Sequence, residues 1–384
     1  MRRLPVVLAA AAGLAAAPPA AAQDSVFGIR GLGFLDRSVS GKSAALGGGF
    51  ALFDAESALN PASLSAWRGT AGWAVAAGSN HSFDAGSGSS SLSATRFPVV
   101  GFASAVGPRV VVAVTASDYL DRNWSVQQTD TVSPRGTPVV ASDQTKSVGG
   151  VTDIRAALAY RLTGITLGVG LHALTGSTET TVNRTFPNDS AYLAFTQQLV
   201  TNYSGVGISF GALVSAAPRF VAGASVRFNG RLRASTADTA ASVPLPLEVN
   251  AGAYYQPVAG VLVTGTVGYA GWSTASDALV AAGQARSRNV WSVGFGVEAA
   301  MLRIGGNLAP LRVGYRWRQL PFPIGGSPAI EGSPLSEHAL AGGLGFDTAG
   351  GRATVDLGIE SGSRTAGALS ETFTTAYLGL TIRP

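Results

Sequence analysis

The sequence predicts an all-β protein: a transmembrane, up-and-down antiparallel β-barrel of about fourteen strands with an N-terminal hatch in the lumen. Three observations lead to this prediction. Apolar residues alternate with polar ones at period two and do not form helix-length blocks. Tight turns alternate along the chain with long polar connections, as the two unlike ends of an outer-membrane barrel require. Charged residues make up 13% of the 384 residues and mean hydropathy is +0.26, which is too apolar for an ordinary soluble surface.

The first element, residues 1–22, has the pattern of a secretory signal peptide. Arg2 and Arg3 are basic, residues 6–17 are apolar, and small residues precede Gln23. The apolar run is too short to span a bilayer as a helix. The chain has no cysteine, which excludes a lipoprotein anchor and suits export through an oxidising periplasm. We therefore expect export to the bacterial outer membrane, with outer-membrane lipid around the protein.

The second element, residues 23–68, mixes helix and turn signals and does not alternate cleanly. It is too apolar to be an unpacked, solvent-exposed segment in the periplasm. Its economical position is inside the mouth of the barrel formed by residues 69–384, where it would act as a hatch or plug.

The strands of the barrel follow in order, and their even number agrees with bacterial single-chain barrels. The second candidate is the least regular because it contains Pro98, which lacks the amide hydrogen of a ladder. The fourteen candidates lie near 70–79, 97–106, 109–121, 146–161, 164–176, 203–216, 219–230, 247–256, 260–271, 289–299, 309–318, 336–347, 350–362 and 371–383.

Alternation within single strands predicts which side chains face lipid. In 311–318, the apolar face carries Val313 and Tyr315, and the opposite face carries arginines. Segment 219–230 repeats the pattern, with Phe220 and Phe228 opposed to Arg227. We expect the apolar faces to meet lipid and the polar faces to line a wet lumen. Four tryptophans are candidates for the aromatic girdles at the membrane interfaces: Trp73, Trp272, Trp291 and Trp317.

The connections are sorted by length. Turns such as 107–109 and 217–219 are tight and should lie on the periplasmic side. Long polar or Pro/Gly-rich connections should lie outside the cell, and they are predicted at 122–145, 177–202, 231–246, 272–288, 319–335 and 361–370.

The sequence contains no complete motif of an enzyme, a metal site or a cofactor site. Gly41-Lys42-Ser43 ends like a phosphate-binding loop, but Asp36 stands where that loop needs glycine. The chain has three histidines and no cysteine, so a metal site is not expected. A Ser-His-Asp triad stays open, although no G-x-S-x-G elbow is present. The basic residues are dispersed, which argues against nucleic acid despite a net charge of +5. We expect a protein that is not an enzyme and has no cofactor.

The segment GKSAALGGGFALFDAESALNPASLS, residues 41–65, resembles the hatch of FadL-type outer-membrane proteins, the long-chain fatty-acid transporter superfamily that includes PorV/PorQ-like barrels. The residues that carry the resemblance are Gly47, Gly48, Gly49, Asn60, Pro61 and Ala62. Residues 244–257, 310–323 and 336–347 are similar to late strands of the superfamily. The resemblance implies a fourteen-stranded barrel with a plugging hatch. The chain departs from it by ending in Arg383-Pro384 where such barrels usually end on an aromatic residue.

Two functions follow from this resemblance. The first is passive transport of hydrophobic compounds such as fatty acids. The alternative is a non-transporting, PorV/PorQ-like barrel that serves a secretion or surface-attachment system and binds a protein partner. The predicted lumen-facing residues Arg312, Arg316 and Arg318 could attract a carboxylate head group, or could pair with lumen acids such as Glu298, Asp356 and Glu360. Asn60-Pro61 could seat the hatch or could simply start a turn.

Overall fold

A computed structural model of the protein describes residues 25–35, 39–84, 89–133, 136–187, 191–304, 307–323, 335–367 and 369–383. The predicted signal peptide, residues 1–22, lies outside the described residues. So does most of the predicted loop 319–335.

The described chain forms a closed barrel of fourteen antiparallel strands, as the alternation predicted. Closure is made by the last strand, which pairs with the first from Ser370↔Asp84 to Ile382↔Gly72. The strands are β1 (Thr70–Asp84), β2 (Ser89–Val106), β3 (Val110–Asp121, continued by Trp124–Val132), β4 (Val139–Arg161), β5 (Ile165–Thr185), β6 (Phe195–Ala217), β7 (Phe220–Asn229, continued by Arg231–Ser235), β8 (Ala240–Pro244 and Leu247–Tyr255), β9 (Val261–Ala270), β10 (Val290–Ile304), β11 (Asn307–Gln319), β12 (Ser336–Thr348), β13 (Ala353–Ala366) and β14 (Leu369–Ile382).

The two faces of the barrel wall match the predicted alternation. On β11, Val313 is 65% exposed and Tyr315 is also exposed, whereas Arg312 and Arg316 are buried. On β13, Ile359 points outward and Glu360 is buried. Apolar side chains therefore cover the outer face, where they meet hydrocarbon, and charged ones are enclosed.

An arginine placed on the outer face tests this orientation. We expect Val313→Arg to destabilise the barrel by about 2–4 kcal/mol, because Val313 lies near the middle of β11 and a cation there is poorly solvated by lipid. Val126→Arg is the control, since Val126 is also an exposed valine but lies in the continuation of β3, where the residues that follow it are polar and exposed. Urea unfolding in lipid vesicles measures both variants, and equal losses would contradict the assigned faces.

Four of the predicted long loops are largely strand. Residues 122–145 and 177–202 form the paired outer halves of β3, β4, β5 and β6, and the continuation of β7 pairs with the start of β8 within 231–246. Much of 361–370 likewise pairs, in β13 and β14. These loop predictions were wrong because both faces of a strand beyond the membrane meet water. The apolar alternation then disappears while the backbone ladder continues.

Short helices lie in the N-terminal segment and in two connections between strands. Helix α1 (Gly41–Ala45) and the 3₁₀-helices Val26–Ile29 and Pro61–Ala66 precede the barrel. Between β9 and β10, the predicted loop 272–288 contains the 3₁₀-helix Trp272–Ala275 and helix α2 (Ser276–Ala281). A further 3₁₀-helix, Ala349–Gly351, joins β12 to β13. None of the described helices is long and apolar enough to cross a membrane.

Two of the four predicted girdle tryptophans are buried. Trp73 stacks on Trp67, and its indole N–H donates to the Glu56 carbonyl over 3.0 Å. Trp272 packs edge-on against Phe322. Trp291, in contrast, is half exposed on the outer face. Alternation alone could not separate these cases, because a tryptophan at a strand end can turn to either side of the wall.

Candidate functional site

The described part of the N-terminal segment, residues 25–35 and 39–66, packs against the inner face of the barrel. Its backbone carbonyls accept hydrogen bonds from the wall: Thr264 donates to Gly49 over 2.7 Å, and Arg155 donates to Ala58 over 2.7 Å. Lys42 forms an ion pair with Glu298 on β10 at 3.3 Å. That this segment closes the lumen as a hatch stays a prediction, but its described residues lie where a plug would lie.

The segment is held in shape by one buried carboxylate. Asp54 accepts hydrogen bonds from the hydroxyls of Ser40, Ser43 and Ser57, the Ser43 bond being 2.5 Å. Ser40 also caps helix α1 by accepting from the Ser43 amide over 3.0 Å. These bonds join residues 40–57 into one compact unit.

Asn60 and Pro61 form a second place at which hydrogen bonds and packing hold the N-terminal segment. Asn60 caps the 3₁₀-helix by accepting from the Ala62 amide over 2.9 Å, and its own amide donates to the Leu52 carbonyl over 3.0 Å. A Cβ on Gly211 would lie 1.8 Å from the Asn60 side-chain oxygen, and one on Gly168 would lie 2.3 Å from the Ala62 nitrogen. The turn therefore packs into a shallow depression on the inner face of β5 and β6, where glycines leave room for it. This packing is additional to the role of Asn60 as a helix cap.

The glycines Gly47, Gly48 and Gly49 meet a matching glycine surface on the wall. Gly47 has φ +61°, and a Cβ there would lie 2.5 Å from the Tyr315 carbonyl oxygen. From the wall side, a Cβ on Gly314 would lie 2.2 Å from the Gly47 nitrogen. Backbone thus meets backbone on both sides, which explains the high glycine content of the strands here.

The predicted arginines Arg312, Arg316 and Arg318 all point inward and all take part in ion pairs. Arg312 pairs with Glu298 at 2.7 Å and with Asp356. Arg316 pairs with Glu360 at 2.5 Å. The acid network that the sequence offered as one of two roles is therefore present. A ligand-binding role for these arginines stays a prediction.

Sequence reasoning missed the centre of this network, Glu337 on β12. Its carboxylate is 0% exposed and accepts from Arg316, from Arg318 at 2.7 Å and from Arg364 at 2.5 Å. Arg364 in turn pairs with Glu371 at 2.8 Å. Glu337 lies directly opposite Arg318 in the β11–β12 ladder, so correct strand register would have revealed that pair.

A second polar cluster lies on β4 to β7. The Nδ1 of His172 is hydrogen-bonded to the Asp153 carboxylate at 2.8 Å, and its Nε2 is hydrogen-bonded to the Ser209 hydroxyl at 2.8 Å. This is the connectivity of a Ser-His-Asp triad, which the sequence had left open. Ser209, however, is 3% exposed, so an acyl substrate has no room at its hydroxyl in this conformation. We interpret the trio as part of the hydrogen-bond network of the wall.

Above the N-terminal segment lies a cavity of about 250 Å³. The aromatic side chains of Tyr119 and Trp272 line it, together with Leu35 and Leu59 from the N-terminal segment. Its charged lining comprises Asp153, Arg227, Glu248, Arg316 and Arg318, the last two being predicted lumen-facing arginines. A mostly apolar pocket with a few polar groups is typical of sites for small organic ligands.

The barrel wall beside this cavity has a gap in its hydrogen bonding. Among the described residues, the β2–β3 ladder runs only from Val106↔Val110 to Val99↔Ser117. The ladder stops at Pro98, which has no amide hydrogen to donate. Beyond it, the ion pair of Arg96 with Asp121 bridges the two strands. The short strand Phe34–Leu35 of the N-terminal segment pairs with Leu120 and Asp121 from inside.

The closed barrel of fourteen antiparallel strands confirms the fold that the resemblance implied. Comparison with solved structures agrees. A Pseudomonas aeruginosa FadL homologue superposes with a TM-score of 0.59 at 11% identity, covering 91% of this chain and 99% of its own. The toluene transporter TodX of P. putida gives 0.58 at 12%, covering 91% and 99%.

The monoaromatic hydrocarbon channel CymD superposes with a TM-score of 0.57 at 14% identity, over 90% of this chain and 98% of its own. Identities this low show a shared fold. No family model and no curated protein sequence matches the chain. Within the described residues, no group of three or more His, Cys, Asp or Glu side chains is placed to hold a metal ion.

Proposed function

We propose that this protein is a passive outer-membrane channel for small hydrophobic compounds. The mostly apolar cavity, lined by the rings of Tyr119 and Trp272 and placed beside the β2–β3 gap, is the observation that carries the proposal. Its volume, about 250 Å³, exceeds the roughly 150 Å³ in which an apolar protein cavity binds benzene. One ring with small substituents therefore fits, whereas a fully extended long fatty acid would have to protrude. The structural neighbours named for hydrocarbons support this class of cargo.

In this proposal the compound enters from the cell exterior, past the helices that follow β9. Trp272 and Leu320 form part of the cavity lining at this end, and Phe322 packs on Trp272. The segment 319–323 thus contributes a buried apolar cap. Residues 324–334, which complete that loop, lie outside the described residues.

The exit in this proposal is lateral, through the gap between β2 and β3. Leu35 and Tyr119 line the cavity and also border the gap, so the two spaces adjoin. An apolar compound gains by leaving into hydrocarbon, whereas the route downward is filled by the packed N-terminal segment. The proposal includes export of the chain by the predicted signal peptide and its location in the outer membrane. The comparisons lend no support to the alternative of a secretion or surface-attachment barrel.

Bridging the gap tests the proposed route. The chain has no cysteine, so the variant Arg96→Cys/Asp121→Cys can be bridged with a bifunctional maleimide at these two positions alone. We expect the bridge to reduce the uptake of radiolabelled toluene by intact Gram-negative cells to the level of cells without the channel. The outer leaflet of such cells slows hydrophobic compounds, so channel-dependent uptake is measurable there.

The two single-cysteine variants treated with the same reagent are the controls, because they carry the same adduct without the bridge. Full uptake by the bridged double variant would exclude the lateral exit. Uptake by cells with the unmodified protein that does not exceed the channel-free background would overturn the proposed function itself.

A further inference from the structure

The cavity carries a polar end that a pure hydrocarbon would leave unsatisfied. The side chain of Arg227 lines the cavity and stacks over the Tyr119 ring, with the guanidinium carbon 4.8 Å from the ring centroid. Its Nε donates to Asn229 over 2.6 Å and its Nη1 donates to Asp153 over 2.7 Å. Its Nη2 is buried and has no hydrogen-bond partner.

An unpaired donor on a buried cation is costly, because the group has given up water without a replacement. Such groups in native proteins call for an explanation, and a missing ligand is one. At a cavity wall, a ligand oxygen that accepts from Nη2 after a small rotation of the guanidinium would supply the missing partner.

A carboxylate stands beside this donor. Glu248 lies directly opposite Arg227 in the β7–β8 ladder, which places the two Cβ atoms roughly 5 Å apart. Glu248 also lines the cavity, and one of its oxygens accepts from Tyr119 over 3.3 Å and from Asn229 over 2.9 Å. A ligand at this point therefore meets a donor and an acceptor side by side.

The charges around this point are balanced without a ligand. Arg155 and Arg227 face the carboxylates of Asp153 and Glu248, while His172, bonded through both nitrogens, is satisfied as a neutral ring. Arg316 and Arg318, which also line the cavity, are matched by Glu337 and Glu360. A ligand carboxylate would add an uncompensated negative charge in an enclosed site. A neutral hydroxyl would not, and it can accept from one neighbour and donate to the other.

We infer that the preferred cargo is a neutral, one-ring aromatic compound with a hydroxyl group, a phenol or an aryl alcohol. Its oxygen accepts from Arg227 and its O–H donates to Glu248, while the ring lies among Leu35, Leu59 and Trp272. This inference rests on the proposed function and narrows its substrate class.

Three probes that share one tolyl group test the inference: toluene, p-cresol and p-toluate. Their binding is measured by calorimetry on the full-length protein in lipid nanodiscs, corrected with empty discs. We expect p-cresol to bind at least about tenfold more tightly than toluene or p-toluate, the effect of one hydrogen bond to a charged group. In Arg227→Gln, the affinity for p-cresol should fall to that for toluene. Arg231→Gln, which changes an exposed arginine on the continuation of the same strand, should leave all three affinities unchanged.

The outcomes separate the two proposals. Equal binding of toluene and p-cresol would overturn the hydroxyl preference and leave the hydrocarbon channel standing. Tightest binding of p-toluate would overturn the inference in favour of a carboxylate site. Absence of binding by all three probes would overturn the proposed function along with it. If Arg227→Gln does not fold, the ranking of the three probes on the unmodified protein decides alone.

Discussion

Replacing Glu337 with glutamine is expected to cost the barrel about 3–5 kcal/mol, the penalty for removing one partner of a buried ion pair. Glu337 accepts from Arg316, Arg318 and Arg364 in the closed interior, and glutamine keeps its shape while removing the charge. Three guanidinium groups would then face an amide that brings donors of its own. The measurement is the urea midpoint after refolding in detergent, with the heat-modifiable gel shift reporting the folded band.

Glu179→Gln is the matched control. Glu179 also accepts hydrogen bonds, from Gln198 over 3.0 Å and from Thr181 over 3.5 Å, but it is exposed on the outer half of β5. Water can replace its partners, so we expect a change within the error of the measurement. A Glu337→Gln midpoint as high as that of the control would show that the arginine cluster does not depend on this carboxylate.

Gly314→Val is expected to lift the N-terminal segment off the wall and raise ion conductance severalfold. A Cβ at Gly314 would lie 2.2 Å from both the Gly47 nitrogen and the Leu46 carbonyl carbon. These are backbone atoms, so no rotamer change relieves the overlap, and the segment has to move. Once it moves, the polar inner faces of the strands border a water-filled path. Planar-bilayer recordings of single channels measure the change.

Gly342→Val is the control on the neighbouring strand. Gly342 pairs with Val313 in the β11–β12 ladder and shares its outward face, and a Cβ there would meet only the Arg312 carbonyl oxygen at 3.6 Å. Valine suits a lipid-facing position, so conductance should stay at the level of the unmodified protein. If Gly314→Val folds and conducts no more than Gly342→Val, the N-terminal segment does not obstruct the lumen.

The two clusters of the lumen have different parts in this account. Around Glu337, the described arginines and acids form ion pairs with one another across the strands β11 to β14. Around Arg227, the network is also dense but leaves a donor at the cavity wall unpaired. The first cluster should therefore control stability, and the second should control which compounds the cavity accepts.

The sequence alone determined the class of fold. Period-two alternation is a local property, because each residue of a membrane strand meets either lipid or the interior. The orientation of Val313 and Arg312 can therefore be predicted without knowing which strands lie beside them. The resemblance of residues 41–65 likewise identified the glycines and the Asn60-Pro61 turn as special, because unusual backbone geometry needs particular residue types.

Only the tertiary structure decided which residues meet across the barrel. The joining of Glu337 to Arg316 and Arg364, the seating of Gly47 on Gly314 and the adjacency of Leu35 to the β2–β3 gap all depend on strand register and on closure of the ring. The outer halves of β3 to β6 were missed for a related reason, since water on both faces leaves no alternation to read. Contacts between residues distant in the chain form only when the whole wall closes, so no local pattern records them.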